Sequence, residues 1–252
     1  MERWIGRVAL VTGASVGLGK AISKALVEHG MVVYGCARDV DKIKSYSEQL
    51  KSKSAKGSLH AVKCDLRNEE EILSMFEEIK NNHGGVDVCI NNAGINFDTT
   101  LLDGRTDQWR NMLDVNVLAL SICTREAVKQ MKEKNIDDGH IIHMNSMSGH
   151  RFASKGEHFY TGNKFMVTAL TEGLRRELRA MGSHIRVSCI SPAVVEGTEI
   201  GKRSRGEMVN SIRFPFKPLE PQDIADMVVY ILAAPPHMEI HDILVRGTGQ
   251  KI

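Results

Sequence analysis

The chain has 252 residues, 42 % of them hydrophobic, enough for one large α/β domain or two small ones. Its 33 basic and 31 acidic side chains leave a net charge of +2, which gives no electrostatic reason to expect nucleic acid or an anionic membrane as partner. Five cysteines without a C-x-x-C pair read as small buried thiols of a reducing compartment, and the lack of any apolar run of signal-peptide or transmembrane length makes the expected location cytoplasmic.

In chain order, short apolar runs fall at 7–12, 31–37, 59–64, 86–90, 140–145, 184–190 and 242–246, and stretches with apolar residues at helical spacing lie between them, such as GKAISKALVEHG (19–30) and NEEEILSMFEEIKNNHG (68–84). Strand and helix alternating this often imply parallel pairing with right-handed crossovers. The expected fold is therefore a single-domain, Rossmann-type, doubly wound parallel sheet flanked by helices, with no linker or repeat dividing residues 1–252. Residues 191 to about 220 break the alternation before a last helix at 223–234. A long excursion after a strand's carboxyl end falls where open α/β sheets bind ligands, so it is expected to be a substrate lid.

The first strand runs into VTGASVGLGK (11–20), where Gly13 suits a tight turn, Gly17 lets backbone approach a pyrophosphate, and Gly19 lets the helix pack close. Ser15 and Leu18 share this turn, and the spacing G-x-x-x-G-x-G differs from the commoner G-x-G-x-x-G. The second strand ends in Ala37-Arg38-Asp39. Asp39 lies about twenty residues past the glycines, where an acid can bind a ribose hydroxyl, but it is equally placed to cap the next helix. Arg38 offers a planar fork for a ribose 2′-phosphate and points to NADP(H) rather than NAD. Asp65 and Leu66 close the third strand, with Asp65 suited to a helix cap or an adenine amino group; Asn92, Ala93 and Gly94 follow the fourth on the same sheet edge.

Downstream, YTGNK (160–164) sets a phenol and an ammonium four residues apart on one helix face. His140 and His143, three apart on a strand, point to opposite faces, and His150 and His158 have no adjacent ligand pattern, so no metal site is expected. Met147, Phe152, Phe159, Val194, Ile200 and Met208 are candidates to line an apolar substrate pocket or to pack in the core.

Taken together, TGASVGLG, the Asp65-Leu66 pair, NNAG (91–94), Asn116 within LDVNVL, Ser146 within MNSMSG, and YTGNK resemble the short-chain dehydrogenase/reductase family over nearly the whole chain. The resemblance implies an NADP(H)-dependent oxidoreductase interconverting a ketone or aldehyde with an alcohol, on an apolar ketosteroid, dicarbonyl or isoprenoid substrate. It assigns Tyr160 as general acid and base, Lys164 as the charge that favours its phenolate and a ribose ligand, Ser146 as donor to the substrate oxygen, and Asn116 as support for a water path. A free phenol, with a pKa of about 10, needs such tuning to act near neutrality. The resemblance also implies a homo-oligomer, tetramer or dimer, through helices near 107–133 and 160–180.

The family's Pro-Gly after the sixth strand is Pro192-Ala193 here, and Gly197 stands where a threonine is usual, with Thr198 one beyond. Ala193 would be strained if its φ were positive; Val195 and Thr198 remain the expected nicotinamide contacts. These departures motivate a rival reading, a catalytically weak dinucleotide-binding regulator or scaffold of the same fold.

Overall fold

The computed structural model describes residues 1–152, 156–198, 200 and 214–251. Seven parallel strands, β1 (Val8–Thr12), β2 (Val32–Ala37), β3 (Ser58–Lys63), β4 (Val88–Asn91), β5 (His140–Met144), β6 (Arg186–Pro192) and β7 (Asp242–Val245), form one sheet in the order β3-β2-β1-β4-β5-β6-β7. All seven expected strands are present. Every residue of β1, β4, β5 and β6 is buried, as strands covered on both faces must be.

The helices are α1 (Gly17–Glu28), α2 (Val40–Ser52), α3 (Glu69–His83), α4 (Thr106–Leu113), α5 (Ala119–Glu133), α6 (His158–Ala180) and α7 (Pro221–Ala233). They cover the sheet with two large apolar clusters. One packs Ile22 and Leu26 of α1 with Ile224, Val228 and Ile231 of α7 against β1. The other packs Ile72, Phe76 and Ile79 of α3 with Ile122 and Ala127 of α5 on the opposite face. Helix α3 shows how local chemistry sets the bounds. The Asn68 side chain accepts from the Glu70 N–H at its start, three glutamates complement the dipole, and Gly84 ends it at φ +74°.

The strand order reverses at β1, which pairs with β2 on one side and β4 on the other. The carboxyl ends of β1 and β4 therefore flank the crevice where such sheets bind ligands. A smaller apolar cluster of Ile95, Met112 and Tyr160, with Phe97, Trp109, Val115 and Phe159 against it, fills the space between the loop after β4, α4 and the start of α6. All five cysteines are free and buried.

Candidate functional site

A cleft of about 650 Å³ runs along the carboxyl ends of β1 to β4, and residues singled out in the sequence line it: Gly13, Ser15, Gly17, Leu18 and Gly19 at one wall, Arg38 and Asp39 at the second strand, Asp65 and Leu66 at the third, and Thr198 from beyond β6. Asn92, Ala93 and Gly94 complete the floor. Gly13 and Gly17 hold φ of +66° and +54°. A Cβ on Gly19 would lie 2.3 Å from the Gly13 carbonyl oxygen, so helix α1 can start this close to the strand only on glycine.

The N-terminus of α1 has neither a side-chain cap nor an acid in its first turn, which leaves its first N–H groups and the positive end of its dipole to an anion. Three cations, Arg38, Lys42 and Arg67, sit farther along the cleft. A glycine cradle, an uncapped helix start and cations at the far end fit a phosphorylated dinucleotide in shape and charge.

Local contacts correct two of the capping alternatives. Asp39 occupies the position before α2, but its side chain makes no cap bond and instead pairs with Lys42 at 3.1 Å. Asp65 does not cap α3, a place taken by Asn68. Its carboxylate accepts from the Arg67 main-chain N–H at 3.1 Å and from the Arg67 guanidinium, which holds it below its usual range. Lys42 and Arg67 escaped the sequence reading, because a single lysine in a helical stretch and a lone arginine after a strand carry no signal of their own. Thr12 also went unnoticed: its hydroxyl accepts from the N–H groups of Asn92 at 2.9 Å and Ala93 at 3.0 Å, locking the β4 turn to the end of β1.

Beyond the cleft, Ser146, Tyr160 and Lys164 are brought together by α6 and the turn after β5. Asn145 donates to Thr168 Oγ1 at 2.9 Å, and that hydroxyl donates to the Gly149 carbonyl at 2.9 Å, so the turn carrying Ser146 is fastened one helical turn past Lys164. Ser146 precedes a short 3₁₀ turn (Met147–Gly149), and its hydroxyl accepts from the Ser148 N–H at 3.1 Å. The Lys164 ammonium lies 5.7 Å from the centre of the Tyr160 ring and donates to the Met144 carbonyl at 2.9 Å. Lys164 is only 4 % exposed, and burial lowers its pKa from 10.5 to about 8. Burial raises the Tyr160 phenol well above its usual range, a Ser146 hydrogen bond opposing the rise and the Glu157 charge adding to it. A charged amine and a phenol held this far from water are costly to keep, which is the signature of a working site.

Asn116 lies in a π-helical turn (Asp114–Leu118) between α4 and α5, an irregularity that often marks functional positions. Its amide donates to the Ile95 carbonyl at 2.9 Å and accepts from the Ile95 N–H at 2.8 Å. The side chain expected to support a water path is therefore engaged by the loop after β4, which it positions.

Past β6, Ala193 does not take positive φ, so the strain expected there is absent, and its N–H donates to the Val245 carbonyl at 2.8 Å. Gly197 takes the left-handed conformation instead, at φ +67°. Val195 bridges to Leu219, and the Thr198 hydroxyl donates to the Val195 carbonyl at 3.2 Å. Of the pocket candidates, Ile200 lines the cleft, Phe159 stacks on Trp109, and Phe152 is 59 % exposed and stacks on His158. Met208 and residues 201–213 of the expected lid lie outside the described residues. His140 bonds Ser188, and His143 bonds Thr124 and Thr171, so both are packed within the sheet and its helices.

Fold and site together define a short-chain dehydrogenase: the chain belongs to the short-chain dehydrogenase/reductase family, whose short chain dehydrogenase model matches residues 7–208. It is 55 % identical to dehydrogenase/reductase SDR family member 11 of Gallus gallus, with 99 % of each chain covered, and 44 % identical over the full length of both chains to a farnesol dehydrogenase of Aedes aegypti. Among solved structures it resembles the closed form of a serine dehydrogenase complexed with NADP+, at TM-score 0.86 and 26 % identity over 97 % of this chain and 96 % of that one. A metagenomic short-chain oxidoreductase in complex with NADP follows at TM-score 0.80 and 28 % identity, covering 98 % and 99 %. No helix among the described residues is long and apolar enough to cross a membrane.

Proposed function

We propose that this oxidoreductase binds NADP(H) and interconverts a ketone or aldehyde with an alcohol on an apolar substrate. The observation that carries the reading is the joint burial of Tyr160 and Lys164 beside Ser146, with Tyr160 packed on Ile95, which also lines the cleft that holds Arg38 and Lys42. Family membership and the NADP-bound neighbours support the cofactor, and the farnesol dehydrogenase relative supports an isoprenoid alcohol among the substrate classes.

Gly13, Ser15, Gly17, Leu18 and Gly19 would hold the pyrophosphate, Arg38 and Lys42 the 2′-phosphate, Asp65 and Leu66 the adenine, Asn92, Ala93 and Gly94 the adjacent ribose, and Val195 and Thr198 the nicotinamide end. When bound, the dinucleotide supplies hydride exchange, which no side chain of this protein can perform. Tyr160 donates its proton to the carbonyl oxygen in reduction and withdraws it from the hydroxyl in oxidation. Ser146 donates a hydrogen bond to that oxygen as negative charge grows on it. Lys164 favours the phenolate once the proton has left and would hold the nicotinamide ribose of the bound cofactor. Asn116 fixes Ile95 and with it the apolar wall against Tyr160.

The excursion between β6 and α7 is the segment proposed as a substrate lid, and its residues 199 and 201–213 lie outside the described residues. Leu118, Phe165, Met166 and Leu170, all exposed on the π turn and α6, support a homo-oligomer through these elements. Fluorescence titration with NADPH and NADH, followed by NADPH oxidation over a panel of steroids, dicarbonyls, quinones and isoprenoid aldehydes, tests the reading. Tighter binding of NADPH with turnover of at least one class is expected. Tight binding without turnover would favour a regulator or scaffold of the same fold.

A further inference from the structure

The cleft along β1 to β4 is lined by three cations, Arg38, Lys42 and Arg67, and two carboxylates, Asp39 and Asp65. Two ion pairs join them, Lys42 with Asp39 at 3.1 Å and Arg67 with Asp65. The second is the more complete. The Arg67 main-chain N–H donates to Asp65 Oδ1 at 3.1 Å, its Nε lies 3.0 Å from Oδ1 and 3.1 Å from Oδ2, and its Nη2 also donates to Oδ2. One guanidinium thus covers both oxygens of the carboxylate. Those bonds hold the Asp65 carboxyl below its usual range, so it is ionised near neutral pH.

The sheet fixes where this pair stands. Strands β2 and β3 pair in register as far as Ala37 and Lys63, and the Cys64 N–H donates to the Ala37 carbonyl at 3.1 Å. Arg38 and Asp65 are therefore the first residues past the last rung of two neighbouring strands, whose spacing is about 4.8 Å. The cation assigned to the 2′-phosphate and an ionised acid share one corner of the cleft. Glu71 adds a second acid there, its Oε2 accepting from the Asp65 N–H at 2.8 Å. With Arg67 present, the side chains lining the cleft leave one net positive charge. Without it they would leave none, and a bare carboxylate would face a phosphate of charge about −2.

We propose that Arg67 is a specificity-determining residue of the cofactor site: by covering the Asp65 carboxylate it keeps the adenosine end of the cleft positive, so that a 2′-phosphate is accepted beside Arg38 and NADPH is held in preference to NADH. The proposal deepens the NADP(H) reading and rests on Arg38 holding that phosphate.

The test titrates NADPH and NADH by fluorescence against the parent, Arg67→Ala and the double variant Asp65→Asn with Arg67→Ala, at low and high salt, with Tm measured alongside. Arg67→Ala is expected to weaken NADPH about tenfold and to leave NADH within about twofold. The NADPH loss should shrink at high salt, because the corner is open to solvent. A partly exposed ion pair contributes little to folding, so Tm should stay near the parent value. Asparagine at 65 still offers an oxygen to an adenine amino group but carries no charge, so the double variant should recover NADPH affinity to within about threefold of the parent. Equal losses for both cofactors, a loss that ignores salt, or a double variant that binds NADPH no better than Arg67→Ala would overturn the proposal, the last by showing that Arg67 acts through its own contact with the phosphate. Equal losses of the two cofactors in Arg38→Ala would instead sink the underlying placement of the 2′-phosphate, so the two failures are distinct.

Discussion

Replacing Lys164 with methionine should make the protein more stable at neutral pH, and the size of the gain follows from the structure. The ammonium is 4 % exposed, and its pKa falls from 10.5 to about 8 through burial. A drop of that size corresponds to about 3 kcal/mol of penalty for the charged form below pH 8. Methionine removes the penalty but also the hydrogen bond to the Met144 carbonyl, a loss of about 1 kcal/mol. The net expected gain is about 2 kcal/mol at pH 7. Its pH dependence has a fixed sign. Between about pH 8 and 10.5 the unfolded chain holds the Lys164 proton and the folded one does not, so parent stability rises with pH through that window. The advantage of Lys164→Met should therefore shrink above pH 8 and reverse by pH 10.5, where only the lost hydrogen bond remains. Urea unfolding of both proteins, at one protein concentration and several pH values from 7 to 10.5, measures the difference; other titrating groups are common to both and cancel. A pH-independent difference, or a variant less stable at pH 7, would refute the reasoning. Confirmation would show that the lysine is kept at a cost in stability, as functional residues often are.

Arg38→Ala should weaken NADPH about tenfold or more, the value of a charge-assisted hydrogen bond to phosphate, and leave NADH binding unchanged; equal losses by fluorescence titration would remove Arg38 from the 2′-phosphate. Gly19→Ala would place a methyl 2.3 Å from the Gly13 carbonyl oxygen and contact the Asn92 amide, so dinucleotide binding should fall below detection in the same titration. Parent-like affinity would show that the cradle does not depend on this close approach.

The sheet and the polar site residues were legible for different reasons. Strands such as VALVT and HIIHM are apolar throughout because both faces are covered, and glycine spacing survives as a pattern because only glycine tolerates the turn after β1. Ser146, Tyr160 and Lys164 stood out through their joint order in a family resemblance rather than through local chemistry, since each alone reads as an ordinary loop or helix residue. What the sequence hid are contacts between distant segments. Thr12 meets Asn92 and Ala93 across 80 residues, Asn96 meets Glu157 across 61, and Asn116 folds its amide onto Ile95. None of these pairings has a spacing rule. The substitution of alanine for glycine at 193 looked costly from the motif, but the backbone there needs no positive φ, and the left-handed residue is Gly197.

The central claim, proton transfer by Tyr160, is tested most directly by measuring NADPH oxidation with one carbonyl substrate in the parent and in Tyr160→Phe, with NADPH binding measured on the same samples. Phenylalanine keeps the ring packed among Ile95, Met112 and Phe159 and removes only the hydroxyl. Binding should be unchanged while kcat falls by about a thousandfold, within the range general acid catalysis supplies. Turnover at the parent rate would contradict the account.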